Sequence, residues 1–140
     1  MSIMAVDPGR DKCGVAVLAD EGDILWRRVV QTSDLTERVA DLVAEYSPRQ
    51  VVLGNGTTHD MAERRLREAL PGVVVSVVDE YRTTEMARKL YWKMNPPSGW
   101  RRLLPVTMQM PPEPVDDLVA VILAWRALGI EQEEFEGNGN

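Results

Sequence analysis

The 140 residues of this chain supply one domain's worth of core, and they include a single cysteine, Cys13, and a single histidine, His59. That excludes an intramolecular disulfide framework, any cysteine- or histidine-rich metal site, and any imidazole mechanism that does not run through His59. With 22 carboxylates against 16 Lys plus Arg, the net charge is −6, which taken alone argues against a general nucleic-acid binder.

The opening MSIMAVDPGR has no basic leader and its apolar run stops at Asp7, so no signal peptide is expected. No uninterrupted apolar stretch reaches the roughly 18 residues of a membrane span, and the expectation is a soluble cytoplasmic protein without a membrane partner. Ile3 to Val6 reads as a buried strand ended by Asp-Pro-Gly. Val15 to Ala19 and Ile24 to Val30 read as two more, with Gly22 in the turn between them, giving an antiparallel meander. The period then becomes helical: Leu35, Val39, Leu42, Val43 and Tyr46 share a face, Ser33 is the expected N-cap, and Ser47-Pro48 is the stop. Val51 to Leu53 is a strand closed by Gly54-Asn55-Gly56, and a helix is predicted from Thr58 or His59 to Leu70, with Met61, Leu66, Ala69 and Leu70 marking its spacing.

Val73 to Val78 is the most apolar run, and its continuous pattern predicts a central strand covered on both faces. A helix capped by Thr83 or Thr84 follows to Met94, with Met86, Leu90, Tyr91 and Met94 facing inward. The proline-rich stretch from Asn95 to Pro114 reads as an irregular loop, with a short strand or turn at Leu103 to Met108. A last helix runs from about Val115 to Leu128 and ends at Gly129. The expectation is a single domain over residues 1–130 followed by an acidic, flexible tail at 131–140. The order, a meander followed by alternating strand and helix, predicts an α/β fold with a mixed five-stranded sheet flanked by helices.

Ligands of open α/β sheets collect at the carboxyl ends of strands. Asp7 ends the first strand and Asp79-Glu80 the last, while Asp116-Asp117 opens a final helix that can pack across the same edge. Clustered carboxylates repel one another unless a cation neutralises them, and all-oxygen ligands suit Mg²⁺ or Mn²⁺. Two such ions about 3.5–4 Å apart can clamp a phosphodiester. An acid after a strand also forms turns, and an acid in a first helical turn also serves the dipole; it is the three stations together that favour chemistry.

These residues carry a family resemblance. DPGRDKCGVAV (7–17) resembles the DxGxKRIGVAV opening of the YqgF/RuvX family, RNase H-like proteins described as Holliday-junction resolvases or ribosomal-RNA-processing nucleases. VVDEYRTTEMA (77–87) resembles its DERxST segment, and VDDLVAVIL (115–123) its closing VDxxAAxxIL helix. The resemblance implies an RNase H-like fold and metal-dependent hydrolysis of phosphodiester bonds in branched DNA or precursor rRNA. It assigns Asp7, Glu80 and Asp116 as the catalytic, metal-binding carboxylates, with Asp117 one residue away as a further ligand. A homodimer would suit junction resolution, in which two strands are cut.

The chain departs from the pattern in places. Asp11 and Lys12 stand where the family has two basic residues, and Tyr81 replaces an arginine that Arg82 follows by one step. GNGTTH (54–59) resembles the YqgF-type domain of the transcription accessory protein Tex, a domain regarded as structural. Lys12, Asn55 and His59 are candidate phosphate contacts. From Tyr81 to Leu104, six basic residues (Arg82, Arg88, Lys89, Lys93, Arg101 and Arg102) face one acid, Glu85, a local charge of +5. Trp92 and Trp100 lie among them, a composition suited to stacking bases beside neutralised phosphates unless the rings are in the core. Two rivals remain at this stage: a non-catalytic binding domain of the same fold, and an actin-like ATPase, which usually needs two such domains.

Overall fold

A computed structural model describes residues 1–56, 58–99, 103–105 and 109–130. Five strands, β1 (Ser2–Asp7), β2 (Lys12–Ala19), β3 (Ile24–Gln31), β4 (Val51–Gly54) and β5 (Val75–Val78), form one sheet in the order β3-β2-β1-β4-β5. The first three are an antiparallel meander, and β4 and β5 add to β1 in parallel, as the alternation of elements predicted. Gly22 turns the β2–β3 hairpin at φ 102°, a conformation that costs glycine little.

Side chains alternate across the strands, so β1 and β2 divide their residues between two cores. Ile3 and Ala5, paired with Leu18 and Ala16, face α3 (Thr83–Met94) and α4 (Asp116–Leu128). Met4 and Val6, paired with Val17 and Val15, face α1 (Leu35–Tyr46) and α2 (His59–Ala69). The central strand is therefore β1. The expectation that Val73 to Val78 forms a central strand is corrected: β5 is shorter and lies at the sheet edge, where Val77 is 43% exposed. A parallel strand added last has one neighbour, and its apolar run reflects one buried face rather than two.

Several local expectations are also corrected. Ser33 does not cap α1; a 3₁₀ turn over Thr32–Asp34 precedes the helix, and Ser47 closes it in the left-handed region at φ 48°. Neither Thr83 nor Thr84 caps α3, whose N-cap is Arg82 at φ 61°, and Met94 is exposed rather than inward. On α2 the buried face is Ala62 and Leu66, leaving Met61 and Ala69 outside. Every residue of α4 from Asp117 to Trp125 is buried, because the helix lies between the sheet and α3. An element covered on both sides is apolar around its circumference, so its period is weak.

Candidate metal centre at the sheet edge

Because β1, β4 and β5 are parallel, their carboxyl ends share one edge, and Asp7, Gly54 and Val78 stand side by side there. Glu80, two residues past β5, reaches back over β4. Its Oε1 lies against Gly54 and its Oε2 against Gly56, where a Cβ at Gly54 would collide with the carboxylate. On the other side of β1, Asp7 pairs with Gly14, and a Cβ there would collide with the backbone of Asp116 at the start of α4. Two glycines, one on each neighbouring strand, thus let two acids distant in sequence approach Asp7.

Electrostatics records the convergence. Burial, then a hydrogen bond and repulsion from Glu80, then repulsion from Asp116, push the Asp7 carboxyl up to about 8. Asp7 therefore holds a proton at neutral pH when no cation is present. Glu80 Oε1 is buried without a hydrogen-bond partner among the described residues. A protonated aspartic acid beside an unpartnered buried carboxylate oxygen is a donor set that a hard cation would satisfy, and these residues fit one.

The loop that carries Glu80 is held from three sides. The Glu80 N–H donates to Asn55 Oδ1 at 3.0 Å, and the Glu80 carbonyl accepts from the Thr83 hydroxyl at 2.8 Å and the Thr83 N–H at 3.0 Å. Arg126 of α4 donates to the Asp79 carbonyl at 2.7 Å and also to the Tyr81 carbonyl. The Asp79 carboxylate accepts the Tyr81 N–H at 3.1 Å, closing a local turn. Asp117 is engaged elsewhere: its Oδ2 pairs with Arg27 of β3 at 2.5 Å, and its Oδ1 accepts the Leu118 N–H.

The candidate nucleic-acid contacts are dispersed. Asn55 is occupied with Glu80, and Arg82 pairs with Glu85 at 3.1 Å. Lys12 and Arg88 are exposed, and Lys89 and Lys93 are half-buried. His59 opens α2, with Nδ1 2.8 Å from the Gly56 carbonyl and Nε2 3.1 Å from Asp60. His59, Asp60 and Glu63 bring potential ligand atoms within 4.8 Å of one another, apart from the Asp7 cluster. Trp92 is 7% exposed, donates to the Gln109 carbonyl and packs edge-on to Tyr91, so it is a core residue and not a base-stacking platform. Trp100, Arg101 and Arg102 lie outside the described residues, as do parts of the expected strand at Leu103 to Met108. Sequence reasoning missed Arg126 and Arg27, which carry no motif of their own, and took Thr83 for a helix cap, whereas it holds the Glu80 carbonyl.

No family model matches the chain. A curated protein of Cutibacterium acnes named "Putative pre-16S rRNA nuclease" is 37% identical across 61% of this chain and 62% of its own length. The resemblance to the YqgF/RuvX family holds. The chain spans about 62% of the length of this curated relative. Among solved structures, RuvC of Thermus thermophilus superposes with a TM-score of 0.57 at 19% identity, covering 89% of this chain and 90% of that one. The fold is RuvC-like, and so RNase H-like.

Proposed function

We propose that the protein is a metal-dependent nuclease that hydrolyses phosphodiester bonds in structured nucleic acid. The observation carrying this reading is the convergence of Asp7, Glu80 and Asp116 on one sheet edge, with the Asp7 carboxyl pushed up to about 8. These three would hold Mg²⁺ or Mn²⁺, which when bound supplies Lewis-acid activation of water and neutralises charge at the phosphate. Asp7 gives up its proton on loading, so the site loads more readily as pH rises. Glu80 supplies a buried carboxylate oxygen, and Asn55, Thr83 and Arg126 fix the loop that carries it. Asp117, engaged with Arg27, anchors α4 so that Asp116 faces Asp7.

The relative's name supports precursor rRNA as substrate, and the RuvC-like fold makes a four-way DNA junction the second candidate. Incubation of the purified chain with each of these and Mn²⁺ tests the proposal. Cleavage that Asp7→Asn abolishes is expected; cleavage retained in that variant rejects the assignment. Salt-sensitive binding without cleavage would identify a non-catalytic domain instead. Sedimentation of the protein with a junction tests for the dimer that paired cuts require.

A further inference from the structure

A cleft of about 220 Å³ opens on the α1/α2 face of the sheet, between the β1–β2 turn, the start of α1 and the first turns of α2. Leu35, Met61 and Ala62 give it apolar walls, and Pro8, the residue after Asp7, forms part of its rim. The volume lies below the roughly 300–1,000 Å³ of sites for drug-sized ligands but above the ~150 Å³ apolar cavity that admits a benzene ring. It suits one heterocyclic ring system.

Two further observations specify the occupant. Arg10 and Arg65 both line the cleft, and neither makes a hydrogen bond or ion pair among the described residues. The cleft therefore presents two cations to whatever enters, which favours an anion. Thr58 Oγ1 is buried in the same lining without a hydrogen-bond partner, whereas the neighbouring Thr32 hydroxyl is already bonded to the Gly9 carbonyl. A ring with polar edges satisfies Thr58, since a hydroxyl donates or accepts. The combination of a flat apolar body, polar edges and a flanking phosphate describes a nucleotide.

We infer that this cleft seats one unstacked nucleobase of the strand whose phosphate lies at the carboxylates, with Arg10 and Arg65 on the adjoining phosphates. The inference rests on the nuclease reading above and adds a specificity site to it. Pro8 directly follows Asp7 at the carboxyl end of β1, so the cleft and the carboxylates meet at one sheet edge from its two faces, and a strand crossing that edge reaches both. Unstacking a base costs least where the strand is already single or mismatched, which favours junctions and loops over continuous duplex.

The test titrates the full chain in EDTA with the 5′-ribonucleoside monophosphates and their deoxy counterparts, following NMR signals of the protein. Saturable shifts at Leu35, Thr58 and Ala62 are expected. The Arg10→Ala/Arg65→Ala pair should weaken them about tenfold or more, and Thr36→Trp, which fills the cleft from the start of α1, should abolish them. Thr58→Val removes the hydroxyl at constant shape and should weaken binding without unfolding the chain, as a melting curve would verify. Tighter binding of the ribo or the deoxy series identifies RNA or DNA as the source of the base. Absence of shifts at these residues, or shifts unchanged in Thr36→Trp, overturns the seat. If the seat fails while Asp7-dependent cleavage persists, the nuclease reading stands without it; if nucleotides bind there and no cleavage occurs, the nuclease reading is the one that fails.

Discussion

Gly54 and Gly14 make similar close approaches with different consequences. The atoms that a Cβ on Gly54 would strike belong to the end of the Glu80 side chain, which can swing away, whereas those at Gly14 are backbone of Asp116 and Asp117. Gly54→Ala should therefore fold with a melting temperature near that of the parent while losing about 100-fold in cleavage, since small misplacements of reacting groups have that effect. Gly14→Ala should lose about 1–3 kcal/mol of stability through overpacking, measured by denaturant unfolding. The adjacent acids separate in the same way. Asp116→Asn should abolish cleavage in a folded protein, while Asp117→Asn, which weakens the Arg27 pair, should lower stability first. At this scale the sequence was legible where a residue type has few uses, as with carboxylates at strand ends. It could not distinguish Asp116 from Asp117, because neighbouring helical positions diverge by about 100° and only the position of Arg27 on another strand decides which faces inward.

Among the elements, α4 carries the most. Its buried run from Asp117 to Trp125 joins the sheet to α3, and its first residue and Arg126 both serve the site. Leu123→Ala should cost about 2–5 kcal/mol, read as a shift of the denaturation midpoint, and at temperatures where the variant remains folded its cleavage should match the parent. The meander, the parallel additions and the last helix were all readable from period and turn residues. The placement of β5 was not, since an apolar run reports how much of a strand is covered but not which neighbours cover it. The Thr83 misreading has a related cause: its hydroxyl has the chemistry of an N-cap, and the structure uses it on the Glu80 carbonyl instead.

For the whole molecule, the carboxylate cluster links stability to pH and to cations. The Asp7 carboxyl, raised to about 8 in the folded state, keeps a proton there that the unfolded chain releases near pH 4. Between those values the folded state binds more protons, so this group's contribution to stability falls as pH rises and is lost above about 8. In EDTA, Asp7→Asn should therefore melt higher than the parent at pH 8.5 and the difference should vanish near pH 4. A gap of about 4 °C corresponds to roughly 1 kcal/mol in a domain of this size. Mn²⁺ should raise the parent's melting temperature at pH 8.5 and leave the variant's nearly unchanged; an equal rise in both would remove Asp7 from the ligand set. The net charge of −6 is compatible with a nucleic-acid substrate, because several acids belong to this cluster and a bound cation offsets them.

The burial of α4 also orders events during synthesis. The sheet face formed by Ile3, Ala5, Ala16 and Leu18 is covered by a helix translated about a hundred residues later, and the third carboxylate arrives with it. At roughly 5–20 residues per second, the ribosome spends several seconds with that face open and the site incomplete. On the proposed nuclease reading, the carboxylate cluster is complete only once this last helix has emerged and docked.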